Sequence, residues 1–163
     1  ILERIINRQN VENSWRWINE GKLKTDGMET ALKYRSGKIN TYINYTYNNS
    51  YDEDDHQMAE IAKHTANGGV TYHWTKNFRI NMRGNYLGKR KNPMMISATG
   101  SSNIDDALIF HSTLSVMNIH KFNFYFIVKN IFNTKYYHTS NRSTIERYRQ
   151  PQRTFMIKTE IKL

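Results

Sequence analysis

The chain contains no cysteine. That excludes a disulfide framework and a thiolate metal site, and it leaves the redox compartment open. Proline is nearly absent, with 2 residues in 163. No apolar run approaches the ~20 residues of a membrane helix, and the mean hydropathy is -0.78. A helical membrane protein is thereby excluded. A membrane β-barrel is not, because every second residue of its strands faces a polar lumen. There is no G-x-S-x-G, no phosphate loop and no paired-carboxylate spacing, so the sequence argues against an enzyme and requires no cofactor. The sequence begins with Ile1, not Met, and contains no signal peptide, as expected either of a processed chain or of a piece of a longer one.

What the chain does have is charge of one sign, tyrosine and alternation. Lys and Arg number 24 against 14 Asp and Glu, a formal net charge of +10, and there are 11 Tyr. That balance points to an anionic partner: nucleic acid, lipid headgroups or an acidic ligand. Nucleic acid is not the expected one, since the sequence offers neither a recognisable module nor a basic helix. Period-2 alternation dominates. Ile39, Thr41, Ile43, Tyr45 and Tyr47 share one face, opposite Asn40, Tyr42, Asn44 and Thr46. Phe78, Ile80, Met82, Gly84 and Tyr86 oppose Arg79, Asn81, Arg83 and Asn85. Phe122, Phe124, Phe126 and Val128 oppose Lys121, Asn123, Tyr125, Ile127 and Lys129, and Phe155, Ile157 and Ile161 oppose Met156, Lys158 and Glu160.

The pattern predicts an all-β, antiparallel fold of eight strands, at roughly 1–8, 15–34, 38–51, 64–76, 78–90, 104–118, 120–137 and 150–163. Apolar parity flips at Asp26–Gly27, which predicts a β-bulge there. The connections alternate. Turns near Ser36–Gly37, Thr75–Asn77 and Asn118–Ile119 are tight, whereas 52–63, 90–103 and 138–149 are long and polar. Short turns at one end and long loops at the other is the layout of an outer-membrane barrel. Tyr45, Tyr47, Tyr51, Tyr86, Tyr136 and Tyr137 fall on the long-loop side, and Trp74 and Phe78 flank a tight turn. Rings with one apolar and one wettable end collect at membrane interfaces in this way. Aromatics also favour strands in general, but the apolar stretches between these belts are nearly free of charge.

The segment VKNIFNTKYY, Val128 to Tyr137, follows the strand KFNFYFIV and exchanges aliphatic residues for asparagine and tyrosine. A membrane strand crosses in ~9–11 residues, so this strand is expected to run on past the hydrocarbon. The segment resembles the N-L-F-D-x-x-Y signature near the C-terminus of TonB-dependent outer-membrane receptors. Asn130, Phe132 and Tyr136 match; Ile131 and Asn133 replace the usual Leu and Asp. GMETALKY from Gly27 resembles that family's G-x-E strand, and INTYINYTYNNS its Asn-Tyr-Thr-Tyr strand. RINMRGNYLGKR resembles the strand ending in Tyr-x-Gly. QPQRTFMIKTEIKL resembles the closing strand, with Pro151, Arg153 and Phe155 as its marks, although the chain ends in Leu163 where the family usually ends in an aromatic.

The resemblance implies that residues 1–163 are about eight C-terminal strands of a 22-stranded transmembrane β-barrel, with the plug domain and earlier strands lying outside this sequence. It also implies the outer membrane of a Gram-negative bacterium, with outer-membrane lipid and lipopolysaccharide around the wall. Uptake of a large scarce solute, most readily a ferric siderophore or other iron complex, would be energised by the TonB complex through the missing N-terminal part.

On that reading Arg79, Arg83, Lys121 and Lys129 line the lumen, as do Lys158 and Lys162. Lys89, Arg90, Arg142 and Arg147 stand in the outer loops. Arg79, Arg83, Lys121, Lys129, Lys89, Arg90, Arg142 and Arg147 are the candidate ligand-facing residues; for the lumenal ones a hydrated wall pairing with plug carboxylates is the more ordinary explanation, since wall charges are expected in any barrel. The acidic loop YDEDDHQM lacks the glycine and spacing of a Ca²⁺ loop, and the histidines show no close metal-ligand spacing, so no metal site is expected. Two rivals remain. One is a self-contained eight-stranded outer-membrane barrel acting as adhesin, anchor or enzyme. The other is a soluble basic β-protein that binds anions.

Overall fold

The computed structural model describes residues 2–3, 6–11, 14–19, 22–52, 55–92, 103–140 and 147–162. Among these, every regular element is a strand. In chain order they are β1 (Leu2–Glu3), β2 (Ile6–Val11), β3 (Ser14–Asn19), β4 (Lys22–Ser36), β5 (Ile39–Tyr51), β6 (His64–His73) and β7 (Phe78–Leu87). They continue with β8 (Arg90–Lys91), β9 (Asn103–Ile104), β10 (Ala107–Ile119), β11 (Phe122–Lys129), β12 (Tyr137–Thr139), β13 (Arg147–Arg149) and β14 (Thr154–Ile161).

One antiparallel sheet of eight strands organises the chain, in the order β1-β4-β5-β6-β7-β10-β11-β14. Sequence neighbours are spatial neighbours, as in a meander. The sheet is open: β1 and β14 form its two edges and do not pair. The expected first two strands appear in two ladders: Leu2↔Leu23 and Glu3↔Lys22 in the main sheet, and Ile6↔Asn19 to Val11↔Ser14 in a separate two-stranded sheet. Pairing of β4 with β5 begins only at Lys24↔Tyr51.

The bulge expected at Asp26–Gly27 does not form. The β4–β5 ladder runs unbroken from Lys24↔Tyr51 to Ser36↔Ile39. The parity change has another cause: Leu23 precedes that ladder and pairs with β1, and Thr25 lies on the polar face, where its Oγ1 is 3.0 Å from Ser50 Oγ. Glycine at 27 serves a close approach instead, since a Cβ there would stand 2.7 Å from the Tyr47 carbonyl oxygen. The one irregularity inside the sheet's long ladders lies elsewhere, where the β10–β11 register shifts between Val116 and Ile119. Asn118 adopts φ 56 and His120 φ 56. The buried Asn123 accepts the Asn118 N–H at 2.9 Å, which holds the shift in place.

The strand expected over 120–137 stops at Lys129. Asn130 (φ 52) and Asn133 (φ 57) both take the left-handed conformation, which asparagine tolerates better than most residues. The Asn130 carbonyl accepts the Asn133 N–H, its Oδ1 accepts the Thr134 N–H, and its Nδ2 donates to the Thr134 carbonyl, each at 2.9 Å. A second donation reaches Pro151 O at 3.3 Å. The asparagine-rich segment is therefore a tight, self-bonded turn that ends the strand, not a continuation in a new solvent.

The alternation read in the sequence becomes two sheet faces. Ile39, Tyr72 and Ile80 fall in one row with Leu114, Phe126 and Ile157. This apolar face is uncovered: Leu32 is 62% exposed, Phe155 71% and Ile157 73%. A patch of this extent marks a surface for contact with membrane or protein. The 13 residues of β10 rise about 44 Å, or about 31 Å at a barrel strand's usual tilt, close to a bilayer's hydrocarbon thickness. Tight turns gather at one end. Gly37 supplies φ 50 between β4 and β5, and Thr75 Oγ1 accepts the N–H groups of Asn77 and Phe78 between β6 and β7. The deepest burial is at the opposite end, among the long connections, where Ile104, Asn92, Asn130 and Ser140 are all shielded.

Candidate functional site

The polar face carries a row of cations. Register places Lys33 beside Tyr42, Tyr42 beside Gly69, Gly69 beside Arg83 and Arg83 beside His111. Lys129 follows one position past the Ser112↔Val128 pair. The Tyr42 ring lies over Gly69, where a Cβ would meet its Cε1 at 2.8 Å. Arg83 and Lys129 are exposed, with His111 half-buried between them. Arg79 stands on the same face between His73 and Ser115. Among the described residues, no carboxylate lies within salt-bridge distance of Arg79, Arg83 or Lys129. Lys158 differs, because Glu160 takes both its ammonium and the Tyr125 hydroxyl. Between the cations run neutral cross-strand pairs: Asn44 Nδ2 to Asn67 Oδ1 at 2.9 Å, and Asn81 Nδ2 to Thr71 Oγ1 at 2.8 Å.

The Asn130 turn folds Tyr136 back across this face. With Thr65, Asn67, Asn85, Ile109 and His111 it lines a cleft of about 310 Å³ at the long-loop end. The cation row borders that cleft through His111. The arrangement can attract and hold an anion beside amide and hydroxyl groups; it offers no nucleophile with a general base.

The long connections are knitted together above the cleft. Arg90 is only 6% exposed and reaches from β8 to β12. Its guanidinium donates to the Tyr137 carbonyl at 2.9 Å and to His138 Nδ1 at 3.3 Å. An arginine can only donate, so Nδ1 accepts and the ring is neutral at that nitrogen. Burial lowers the pKa of both groups, and the Arg90 charge lowers that of His138 further. Arg147 stacks over the Tyr137 ring, its Cζ 4.4 Å from the centroid. The Ser140 N–H donates to Asn92 Oδ1 at 3.3 Å.

The sequence candidates therefore separate. Arg79, Arg83 and Lys129 share the polar face, but Lys121 sits exposed at the tight-turn end, where its carbonyl accepts the Lys162 N–H. Lys89 is exposed in a second cleft with Lys63, His64, Tyr86 and Asp106. Arg90 is buried in the loop clasp, Arg147 covers Tyr137, and Arg142 lies outside the described residues. The motif residues hold the turn and its surroundings. Phe132 packs edge-on against Phe110, centroids 5.4 Å apart, the Arg153 N–H donates to Asn133 Oδ1 at 3.0 Å, and Phe155 stands on the apolar face. Lys33 and His111 were not singled out from the sequence, though the alternation already placed Lys33 opposite Leu32. The clasp through Arg90 is a contact between loops 47 residues apart, for which no local pattern exists.

A family model for the β-barrel of TonB-dependent receptor-like proteins matches residues 3–131. The chain belongs to the TonB-dependent receptor β-barrel family. Solved structures agree with the fold. The ferric-catecholate import receptor Fiu from Escherichia coli K12, in its closed form, superposes over 96% of this chain and 23% of its own at 17% identity, with a TM-score of 0.75. The ferripyoverdine receptor of the outer membrane of Pseudomonas aeruginosa, bound to ferripyoverdine, covers 96% of this chain and 23% of its own at 14% identity and a TM-score of 0.76. The copper transporter OprC covers 98% and 26% at 18% identity and 0.77. The chain thus spans about a quarter of the length of these structures. A search of curated proteins by sequence finds no match. TonB-dependent receptors are outer-membrane β-barrels of Gram-negative bacteria that bind siderophores and interact with TonB; receptors and transporters, not enzymes, make up the family. In this chain the barrel is an open wall.

Proposed function

We propose that this chain is the C-terminal wall of an outer-membrane receptor that imports a large anionic solute, a ferric siderophore or a similar iron complex, with TonB supplying the energy through an N-terminal part outside this sequence. The observation that carries the reading is the two-faced sheet. Its outer face is apolar and uncovered, while its inner face bears Arg79, Arg83 and Lys129 with no carboxylate partner among the described residues. A hydrated wall of one sign concentrates anions and raises their rate of encounter. The Tyr136 cleft and the knitted loops above it stand where a ligand arriving from the long-loop side would first meet the wall. A self-contained barrel fits less well, because β1 and β14 leave open edges that lipid cannot satisfy.

The test is uptake by cells that carry the complete reading frame as their sole receptor of this type. Iron-55 supplied as catecholate, hydroxamate and citrate complexes should accumulate for at least one class, and a proton uncoupler should abolish it. Replacing Arg83 and Lys129 together by Gln should lower uptake about tenfold at low ionic strength and less at high salt. Accumulation that ignores both the uncoupler and the double variant would overturn the proposal.

A further inference from the structure

The pairing register carries the cation row down the wall. Lys33 stands three residues from the tight-turn end of β4, Arg83 five from that end of β7, and His111 eight from that end of β10. Barrel strands are tilted, so a row that follows their pairing climbs. Across the sheet, at about 4.8 Å per strand, Arg83 is about 14 Å from Lys33 and about 10 Å from Lys129. One end of the row meets the Tyr136 cleft beside the long loops. The other meets a further cavity, among the tight turns.

That lower cavity has a volume of about 360 Å³. Lys33 and Arg35 of β4, Asn40 and Tyr42 of β5 and Thr71 of β6 line it, with the Tyr34↔Thr41 pair between them. Its neutral groups are held in place. The Tyr42 ring lies over Gly69, Asn40 Nδ2 is 3.0 Å from His73 Nε2, and Thr71 Oγ1 accepts Asn81 Nδ2 at 2.8 Å. Arg79 pairs across from His73. The two cations of β4 are exposed, and among the described residues neither has a carboxylate within salt-bridge distance. Glu29 is the sole carboxylate on this face of β4, and at four residues up the strand it is about 13 Å from Lys33. A guanidinium, an ammonium and a phenol hydroxyl thus border one hollow. A guanidinium binds paired oxygens, as in a carboxylate, through two parallel N–H bonds.

We propose that the lower cavity is a second station for the imported anion, occupied after it leaves the Tyr136 cleft and before it passes the tight turns. Its ligand is an iron complex with oxygen anions on its surface, held by paired contacts to Arg35 and by the charge of Lys33. Arg83 and Tyr42 stand between the two stations, so the complex meets a cation or a hydroxyl along the whole descent. The station presupposes the reading of the polar face as the wall of an anion-importing lumen; within it, Lys33 and Arg35 serve release rather than capture.

The test uses cells that carry the complete receptor, with iron-55 supplied as catecholate, hydroxamate and citrate complexes. Binding is counted in cells treated with an uncoupler and uptake in energised ones, at receptor amounts matched by immunoblot of the outer membrane. Lys33→Gln with Arg35→Gln should slow uptake about tenfold and weaken binding by less than about twofold. Each substitution alone should slow uptake about threefold, which keeps a reading if the pair assembles poorly. Lys33→Arg, which keeps the charge, should recover most of the rate lost in Lys33→Gln. Unchanged uptake in the paired variant would overturn the station. So would binding and uptake that fall by the same factor, which would place the pair in the outer site. Entry of vancomycin, a solute too large for an occluded lumen, rising in the paired variant would assign Lys33 and Arg35 to anchoring a plug and would overturn it too. A parent that neither binds nor accumulates any of the three complexes refutes the reading beneath, and the station with it.

Discussion

Replacing Asn130 by Ala removes the turn that ends β11, and the cost can be worked from its bonds. Two side-chain hydrogen bonds at 2.9 Å are lost, to the N–H and the carbonyl of Thr134. At about 1 kcal/mol each they account for about 2 kcal/mol. Alanine must also hold φ 52, which costs another 1–2 kcal/mol or so. The total, about 3–4 kcal/mol, corresponds to between two and three decades in the local opening equilibrium, roughly. Hydrogen exchange on the complete receptor reads this directly in peptides covering 130–137, where the Asn133 and Thr134 amides are protected by Asn130. Asn130→Gly keeps the left-handed backbone and loses only the side-chain bonds, so its exchange should fall about tenfold short of the alanine variant's. Exchange in Asn130→Ala equal to the parent's would refute the account of the turn. Faster exchange in the glycine variant than in the alanine one would refute the backbone argument.

Further outcomes follow from the clasp, the close-packed glycine and the open edges. The folded-state pKa of His138 is depressed below its ordinary 6.5 by burial and by Arg90, so the neutral ring's contribution is complete above about pH 6.5 and declines as pH falls. Acidification from about pH 7.5 to 5.5 should therefore speed amide exchange over 137–139, and His138→Gln should flatten that dependence. Gly27→Ala sets a Cβ 2.7 Å from the Tyr47 carbonyl oxygen; forcing β4 from β5 should cost about 1–3 kcal/mol, measured as a lower urea midpoint of the receptor in micelles. Expressed alone, residues 1–163 present two unpaired edges and an uncovered apolar face, so sedimentation should find aggregates in buffer and dispersed protein only in detergent. A monomer that unfolds cooperatively in water would contradict that expectation.

The two faces were legible because a strand's period is 2 and lipid and water demand opposite residues. Ile80, Met82 and Phe126 against Arg79, Asn81 and Arg83 needed no tertiary knowledge. The alternation of tight turns and long loops was equally local. Legibility failed where a residue's role depends on its partner across the sheet. Gly27 looked like a bulge because the sequence does not reveal that a Cβ there would stand 2.7 Å from the Tyr47 carbonyl oxygen. Asn130 and Asn133 were read as strand residues in a changed solvent, although two asparagines three apart, followed by Thr, are also a turn signal. Arg90 was counted with exposed loop cations because its partners, Tyr137 and His138, lie in another loop. Of the proposed wall site, the cations were readable and the cleft was not, since Tyr136 reaches it only through the Asn130 turn.

The central claim is that this sheet divides lipid from a hydrated lumen. Spin labels placed one at a time on residues 78–86 of the complete receptor, in outer-membrane vesicles, test it most directly. Labels at 80 and 82 should be relaxed by oxygen, which partitions into lipid, and those at 79, 81 and 83 by a water-soluble nickel chelate, in strict alternation. Uniform access to the nickel chelate, or alternation with the opposite phase, would contradict the account.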